Sequence, residues 1–329
     1  MVVLRAHHSA TIPNGCHFRA AHCNRIRRFE YDAGMGHETS DELGLFGQAA
    51  PPRAVPFFQE GAPSAPFGWY GGKAYYAEWL LGHFPEHRVY VEPFGGAANV
   101  LLRKRRSDVE VFNDLDSRLI NFFRVLRDRR QFDELVRLST LTPYSREEFT
   151  ALVEMPEPAD PVESAWWFFV RCRQAVGGAG MKKLYASHWA VSTRTRRSMA
   201  EPVSKYLSSI DGLQDIAERF RTVMIDCLPA TELIQKYDAE DVLFYCDPPY
   251  VPDTRNNYQV NQYGKDMTLE DHVILLDALL ACKGKVLLSG YDSELYTQKL
   301  SKWSRAETTG KAHMSNSGET RVEVLWMNW

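Results

Sequence analysis

Short, almost unbroken apolar runs recur along the chain, each ending in glycine, proline or an acid. They are Val89 to Glu92, Val109 to Asn113, Val242 to Cys246 and Val286 to Ser289. Apolar runs of this length bounded by turn formers predict strands buried on both faces of a sheet. Helix-like stretches stand between them. NVLLRKRR follows the first run, and SRLINFFRVLRD follows the second with Asp116 placed to cap it. Another helix is predicted to open near Thr268, where Thr-Leu-Glu-Asp has the form of a capping box. The tail, Arg321 to Asn328 (RVEVLWMN), alternates like a closing strand. Strands separated by helices predict an α/β fold with a doubly wound, mostly parallel sheet.

That rhythm fails in two places. Residues 1–66 hold five of the ten histidines and six of the seventeen prolines without a sustained period, and Pro51 to Pro66 reads as a linker. This stretch is expected to be a disordered leader. Between 131 and 221 the alternation of strand and helix gives way to a segment rich in aromatics, glycine and arginine, read as an inserted domain. The α/β domain would then be assembled from 67–130 and 222–329.

Composition narrows the function classes. With 44% hydrophobic and 25% charged residues in 329, the chain is ordinary for a globular protein. No apolar run approaches the roughly 18 residues of a membrane span. The opening MVVLRAHHSA lacks the apolar stretch of a secretory signal. Six scattered cysteines suit reduced thiols in the cytoplasm. Cys16, His17, His22 and Cys23 have the chemistry to hold zinc but match no finger spacing, so no metal is expected.

The net charge of −3 argues against a nucleic-acid partner until its distribution is considered. Arg171, Arg173, Lys182, Lys183, Arg194, Arg196, Arg197 and Lys205 face a single acid, Glu201, within 35 residues. Glycines and aromatics (Gly177, Gly178, Tyr185, Trp189) interleave them. The pattern predicts contact with nucleic-acid phosphates rather than a merely solvated face. Trp166 and Trp167, in WWFFV, read as core.

Three strings carry candidate chemistry. In VEPFGGAANV a glycine loop joins a strand to a helix, so backbone can approach a ligand closely and helix amides can face it. Asp114 stands at the end of the next strand, about 20 residues on, where an acid can accept hydrogen bonds from a ribose. The spacing is not the full dinucleotide fingerprint, and no phosphate-loop lysine is present. Asp247-Pro248-Pro249-Tyr250 follows the apolar VLFYC, at the carboxyl edge where open α/β sheets bind ligands. Consecutive prolines fix the backbone and leave carbonyls free as acceptors. An aspartate beside such a carbonyl can accept both hydrogens of an exocyclic amino group, and Tyr250 can stack on a base. Phe67-Gly68-Trp69-Tyr70-Gly71-Gly72-Lys73 adds a tight turn flanked by an indole and a cation.

In this order, FGWYGGK, VEPFGGAANVLL, VFNDLDSRLIN, VLFYCDPPY and RVEVLWMN resemble the DNA adenine methylase family, the α-group of adenine-N6 DNA methyltransferases, from about Phe67 to Trp329. DPPYVPDTR, DMTLEDH and KVLLSGYDSELY look like a branch common in phages and prophages. The resemblance implies S-adenosylmethionine as methyl donor, held by Trp69, Lys73, Phe94, Gly95, Gly96, Asp114 and Asp247. It implies catalysis by Asp247, Pro248, Pro249 and Tyr250, with no metal. The 131–221 insert would recognise double-stranded DNA, and a cognate restriction endonuclease is a candidate partner in a restriction–modification pairing. Where the family carries a further glycine this chain has Ala98, which is tolerated if its φ is negative. Methylation of cytosine N4, of RNA adenine or of a protein glutamine is a neighbouring reading, and a non-catalytic DNA-binding protein on the same scaffold a more distant one. Asparagine is preferred over aspartate in the glutamine and many RNA enzymes, which favours DNA.

Overall fold

The computed structural model describes residues 55–69, 71–178, 181, 188–252, 267–311 and 320–329. The zinc candidates, Lys182, Lys183 and most of the leader lie outside the described residues.

Among the described residues the main sheet has seven strands. These are β1 (Val89–Glu92), β2 (Val109–Asn113), β5 (Met224–Asp226), β6 (Val242–Cys246), β7 (Lys285–Gly290), β8 (Ser304–Lys311) and β9 (Thr320–Met327), in the order β5-β2-β1-β6-β7-β9-β8. The first five positions are parallel, and β9 runs antiparallel to both β7 and β8. The sheet is thus a mixed α/β sheet of the kind expected, but β5 and β8 were not predicted. Met224–Asp226 is too short to show a period, and SRAETTGK is a polar edge strand.

Chain order reverses between β1 and β6, which pair directly. From β1 the chain proceeds outward to β2 and β5, then returns to β6 and proceeds the other way. The crevice at this switch point, beyond the carboxyl ends of the strands, is where open α/β sheets bind ligands. Both the glycine loop and Asp247 emerge there. Because β9 is antiparallel, its amino-terminal half also reaches that edge, with Val324 paired to Gly290 at the end of β7.

Alternate residues feed opposite faces, as the pleat requires. Tyr90, Phe112, Leu243 and Tyr245 join one buried cluster, while Val91, Val111, Phe244 and Cys246 join the other. Helices α9 (Ala230–Tyr237), α10 (Leu269–Leu280) and α11 (Glu294–Lys299) supply the second cluster through residues such as Leu233, Leu275 and Tyr296. Thr268 caps α10 in a complete capping box with Asp271. His272 is buried in that helix with Nδ1 3.0 Å from the Tyr296 hydroxyl, in keeping with a structural histidine.

The first cluster is built from α1 (Ala77–Leu81), α2 (Asn99–Arg103), α3 (Ser117–Val125) and the helices of the 131–221 region. Asp116 caps α3 as expected, accepting from Arg118 N. The region contains α4 (Arg129–Leu141), α5 (Arg146–Glu154), α6 (Pro161–Gln174), α7 (Glu201–Asp211) and α8 (Leu213–Phe220), with a hairpin of β3 (Thr195–Arg196) and β4 (Met199–Ala200). Its apolar core is continuous with that of the sheet: Phe169 stacks on Phe122 at 5.7 Å, and Phe168 meets Phe67 edge-on at 5.3 Å. Trp167 is buried with Nε1 donating to Leu152 O, a core residue as read.

The chain docks on this body before residue 67. Phe57 stacks on His87 at 5.1 Å, and backbone bonds join Phe57 O to Arg105 N and Gln59 N to Arg103 O. Two adjacent phenylalanines inside a proline-rich stretch give the last part of the presumed linker enough apolar surface to bury. The helix expected over NVLLRKRR ends early for a related reason. Lys104 turns extended and inward, where its ammonium meets Glu110 at 2.6 Å with neither side chain exposed.

Candidate active site

Asp247 leaves β6 at the switch point. Lys73 Nζ lies 2.6 and 2.7 Å from its two carboxylate oxygens and donates also to Gly71 O at 3.0 Å. Ser289 Oγ, near the end of β7, donates to Asp247 Oδ1 at 2.9 Å. A second carboxylate, Glu323 of β9, lies 3.6 Å from Lys73 Nζ and accepts the Tyr250 hydroxyl at 2.6 Å. Lys73 Nζ is 5.0 Å from the centre of the Tyr250 ring, whose edge meets Tyr291 at 4.4 Å. Four chain segments thus converge on two acids, one ammonium and one phenol.

The electrostatics follow from burial. Lys73 is 3% exposed. Desolvation disfavours its charge, but Asp247 and Glu323 more than offset this and its pKa is raised. Burial raises the pKa of Glu323; the Lys73 charge opposes this and the Asp247 charge adds to it. Tyr250 is held well above the usual phenol range by burial and by these carboxylates, so it is a neutral donor.

The glycine loop is shaped by close approaches. A Cβ on Gly95 would lie 2.6 Å from Phe112 Cζ and 2.7 Å from Cδ2. Gly96 has φ +49°, and a Cβ there would come within 2.7 Å of the Trp69 indole. The amide of Gly96 donates to Asp114 Oδ2 at 2.9 Å, and Gly95 N donates to Asn113 O at 2.8 Å. Asn113, which the sequence did not single out, accepts from Leu228 N and donates to Pro93 O and Leu228 O, tying three loops together. The loop amide therefore positions Asp114 instead of facing outward, and α2, at five residues, offers little helix dipole. Ala98 overturns the expectation attached to it. Its φ is +59°, so an alanine occupies a left-handed position at which it is held by complete burial.

These segments enclose a cavity of about 460 Å³, bordered by Trp69, Lys73, Phe94, Gly95, Gly96, Asp114, Asp247, Pro248, Pro249 and Tyr250. Every residue expected to bind the cofactor or catalyse is on its wall. Glu92 is there too, buried at the end of β1. Desolvation pushes its pKa up to about 8, the Tyr90 hydroxyl bond opposing and the Asp247 charge adding. Glu92, Ser289 and Glu323 were missed as site residues. The available signal was a polar group at the end of, or between, apolar residues of a strand.

The basic residues of the 131–221 region divide into two groups. Arg171 is 8% exposed, its guanidinium over the Trp167 ring at 4.4 Å, and Arg173 donates to Lys205 O at 2.5 Å. Both stand on α6 among packed helices, not on the solvated surface that the charge count suggested. Arg194, Arg196 and Arg197 are exposed on or beside the β3–β4 hairpin. Its two turn residues, Arg197 and Ser198, have φ of +52° and +59°, the double left-handed turn that matches strand twist.

A family model described as D12 class N6 adenine-specific DNA methyltransferase matches residues 69–314, about three quarters of the chain. The chain belongs to this family. Among curated relatives, the DNA adenine methylase of Salmonella typhi is 24% identical over 266 residues, covering 78% of this chain and 91% of that protein. That of Vibrio cholerae is 26% identical over 243 residues, covering 70% and 82%. That of Escherichia coli strain K12 is 23% identical over 264 residues, covering 78% and 91%. As a member of the family the protein is an adenine-specific DNA methyltransferase. No helix among the described residues is long and apolar enough to cross a membrane.

Proposed function

We propose that the protein transfers a methyl group from S-adenosylmethionine to the N6 amino group of an adenine rotated out of double-stranded DNA, using the cavity at the switch point. The observation that carries this reading is that Asp247 and Pro248 line the cavity beside the glycine loop.

The lining suits the donor. A volume of about 460 Å³ is in the range of small-molecule sites. Asp114, Asp116, Asp247 and Asp271 border it against Lys73, the single cation among its described lining residues. Such a wall repels the phosphates of a dinucleotide and favours a cation. Asp114 accepts from Gly96 N and Asp116 N, which orients its carboxylate for ribose hydroxyls. Phe94, Leu115, Pro229 and Ile274 offer apolar faces for a ring. When bound, S-adenosylmethionine supplies an electrophilic methyl group on a sulfonium.

The amino group of adenine is a poor nucleophile because its lone pair is conjugated with the ring. Asp247 and the Pro248 carbonyl accept its two hydrogens, drawing the nitrogen towards tetrahedral geometry and directing the lone pair. The extra proton leaves the nitrogen after methylation. Tyr250 presents its ring to the flipped base. Catalysis is then positioning and electrostatics, without a covalent enzyme intermediate.

DNA affinity is assigned to the 131–221 region through its exposed arginines, Arg194, Arg196 and Arg197. The test is incubation with methyl-labelled S-adenosylmethionine and unmethylated DNA, followed by digestion to nucleosides. Label in N6-methyldeoxyadenosine is expected. Label in N4-methyldeoxycytidine would transfer the mechanism to another base, and absence of label from DNA would overturn the assignment.

A further inference from the structure

Asp247 has too many partners for the role just given to it. Its two oxygens are occupied by Lys73 Nζ at 2.6 and 2.7 Å, and Ser289 Oγ takes a further lone pair of Oδ1. An amino group arriving at Asp247 competes with the ammonium for the same lone pairs. Lys73 is almost fully buried, so it cannot simply swing into water when displaced. A buried ammonium without a carboxylate is costly.

A second carboxylate stands within a short movement. Glu323 Oε1 is 3.6 Å from Lys73 Nζ, beyond hydrogen-bonding distance but close enough that a shift of well under 1 Å would bring the two into contact. Glu323 is 4% exposed, an acid set between Val322 and Val324 in strand β9, and a buried acid is uncommon unless it is partnered. It already accepts the Tyr250 hydroxyl, so the group that would receive Lys73 also fixes the ring proposed to face the base.

We infer that Glu323 is a positioning residue for methyl transfer, taking Lys73 as the adenine amino group takes Asp247. The inference rests on the assignment of Asp247 as amino acceptor. It gives Lys73 two stations: between the Asp247 oxygens before the base enters, and on Glu323 once it has entered. Glu323 touches neither base nor cofactor in this scheme; it acts through Lys73 and Tyr250.

Glu323→Gln and Glu323→Asp separate this from a structural role. Glutamine keeps the reach and can still accept from Tyr250, but it lacks the charge that draws Lys73 away. Aspartate keeps the charge and loses reach. The expected result is a single-turnover rate reduced about tenfold or more in Glu323→Gln, with Kd for cofactor and for duplex DNA within about twofold of wild type, and Glu323→Asp faster than Glu323→Gln. If Glu323 only anchors Tyr250, glutamine will match wild type and exceed aspartate, and the inference falls. Asp247→Asn is measured alongside. Turnover retained by Asp247→Asn sinks the Asp247 assignment itself, whereas an inactive Asp247→Asn beside a fully active Glu323→Gln sinks only the role of Glu323. A wild-type structure with duplex DNA and an unreactive donor analogue tests the same point without a variant. Lys73 Nζ is expected within about 3.2 Å of Glu323. Finding it still astride both Asp247 oxygens with the base in place would overturn the proposal.

Discussion

Gly95 offers a sharp test of how the loop is built. Replacing it by alanine places a Cβ 2.6–2.7 Å from Phe112 Cζ and Cδ2, where carbon atoms ordinarily rest about 3.5–4.0 Å apart. Phe112 Cε2 is nearer still, so the ring must retreat by well over 1 Å. It has nowhere to go, being fully buried with Phe123 at 5.0 Å and Phe220 at 5.3 Å on its edges. Overpacking of this kind costs roughly 2–3 kcal/mol. The φ of Gly95 is not in the left-handed region, so alanine recovers about 0.5–1 kcal/mol through the unfolded chain. The net loss is then about 1–2.5 kcal/mol, or a fall in Tm of about 2–10 °C for a body of this size. Calorimetry measures it, and titration with S-adenosylmethionine should show weaker binding, because Gly95 N anchors the loop to Asn113 O. Phe112→Leu supplies the control. In that background the alanine should cost much less, giving a coupling of about 1–2 kcal/mol in the double-mutant cycle. Additive effects, or an unchanged Tm in Gly95→Ala, would refute the packing argument.

Three further outcomes are expected. Converting Arg194, Arg196 and Arg197 together to glutamine should weaken DNA binding and reduce the dependence of log K on log salt by up to about 3, the limit for three lost phosphate contacts; an unchanged slope would return them to a solvated surface. Glu92, with its pKa pushed up to about 8, binds a proton in the folded state that the unfolded chain has lost, so its burial penalises stability increasingly between about pH 4.5 and 8. Glu92→Gln, read by melting at pH 5.5 and 8.5, should therefore flatten the fall in stability with rising pH, by an amount on the order of a few kcal/mol, and an identical slope would refute the assignment. Glu110 holds both Lys104 and Arg219 in the interior, at 2.6 Å and through a pair of bonds from the guanidinium. Glu110→Gln leaves two buried cations without a counter-charge and should cost about 3–5 kcal/mol, seen as a Tm lowered by about 10 °C; a loss below 1 kcal/mol would mean that water already reaches the cluster.

What could be read from the sequence was whatever local chemistry determines. The strands β1, β2 and β6 fell on their apolar runs, and the caps at Asp116 and Thr268 on their side chains, because burial on both faces and the satisfaction of first-turn amides are properties of a few neighbouring residues. The glycine loop and Asp247 could be placed together because both follow parallel strands at the switch point. The partners of Asp247 could not be placed in the same way. Ser289 lies 42 residues away and Lys73 174, and Glu323 reaches the edge only because β9 turns antiparallel, a fact that alternation in RVEVLWMN does not carry. The sign of φ at Ala98 was also invisible, since it depends on the turn that Gly96 begins. The charge count over 171–205 failed for Arg171 and Arg173 because a helix built of WWFFVRCRQ buries nearly all of its circumference, long cationic stems included.

The distribution of charge accounts for how a protein of net charge −3 can serve a polyanion. The acids are concentrated where the duplex backbone has no business: Asp114, Asp116, Asp247 and Asp271 border the cavity, and Lys73 is the only cation among its described lining residues, already committed to Asp247. A phosphate brought to that wall meets repulsion, whereas a neutral base and a cationic donor do not. Exposed arginines stand instead on the β3–β4 hairpin, whose non-glycine turn residues are held in left-handed conformations that cost of order 1 kcal/mol each. The turn presents Arg196 and Arg197 exposed at its tip, Arg197 donating to Ser208 Oγ at 2.9 Å. In the proposed function the two regions divide the work by sign: backbone recognition falls to the exposed positive charge, and the base leaves the stack to reach a cavity whose acids repel phosphates, so flipping would follow from the electrostatics of the cavity as well as from the burial of adenine N6 within the duplex.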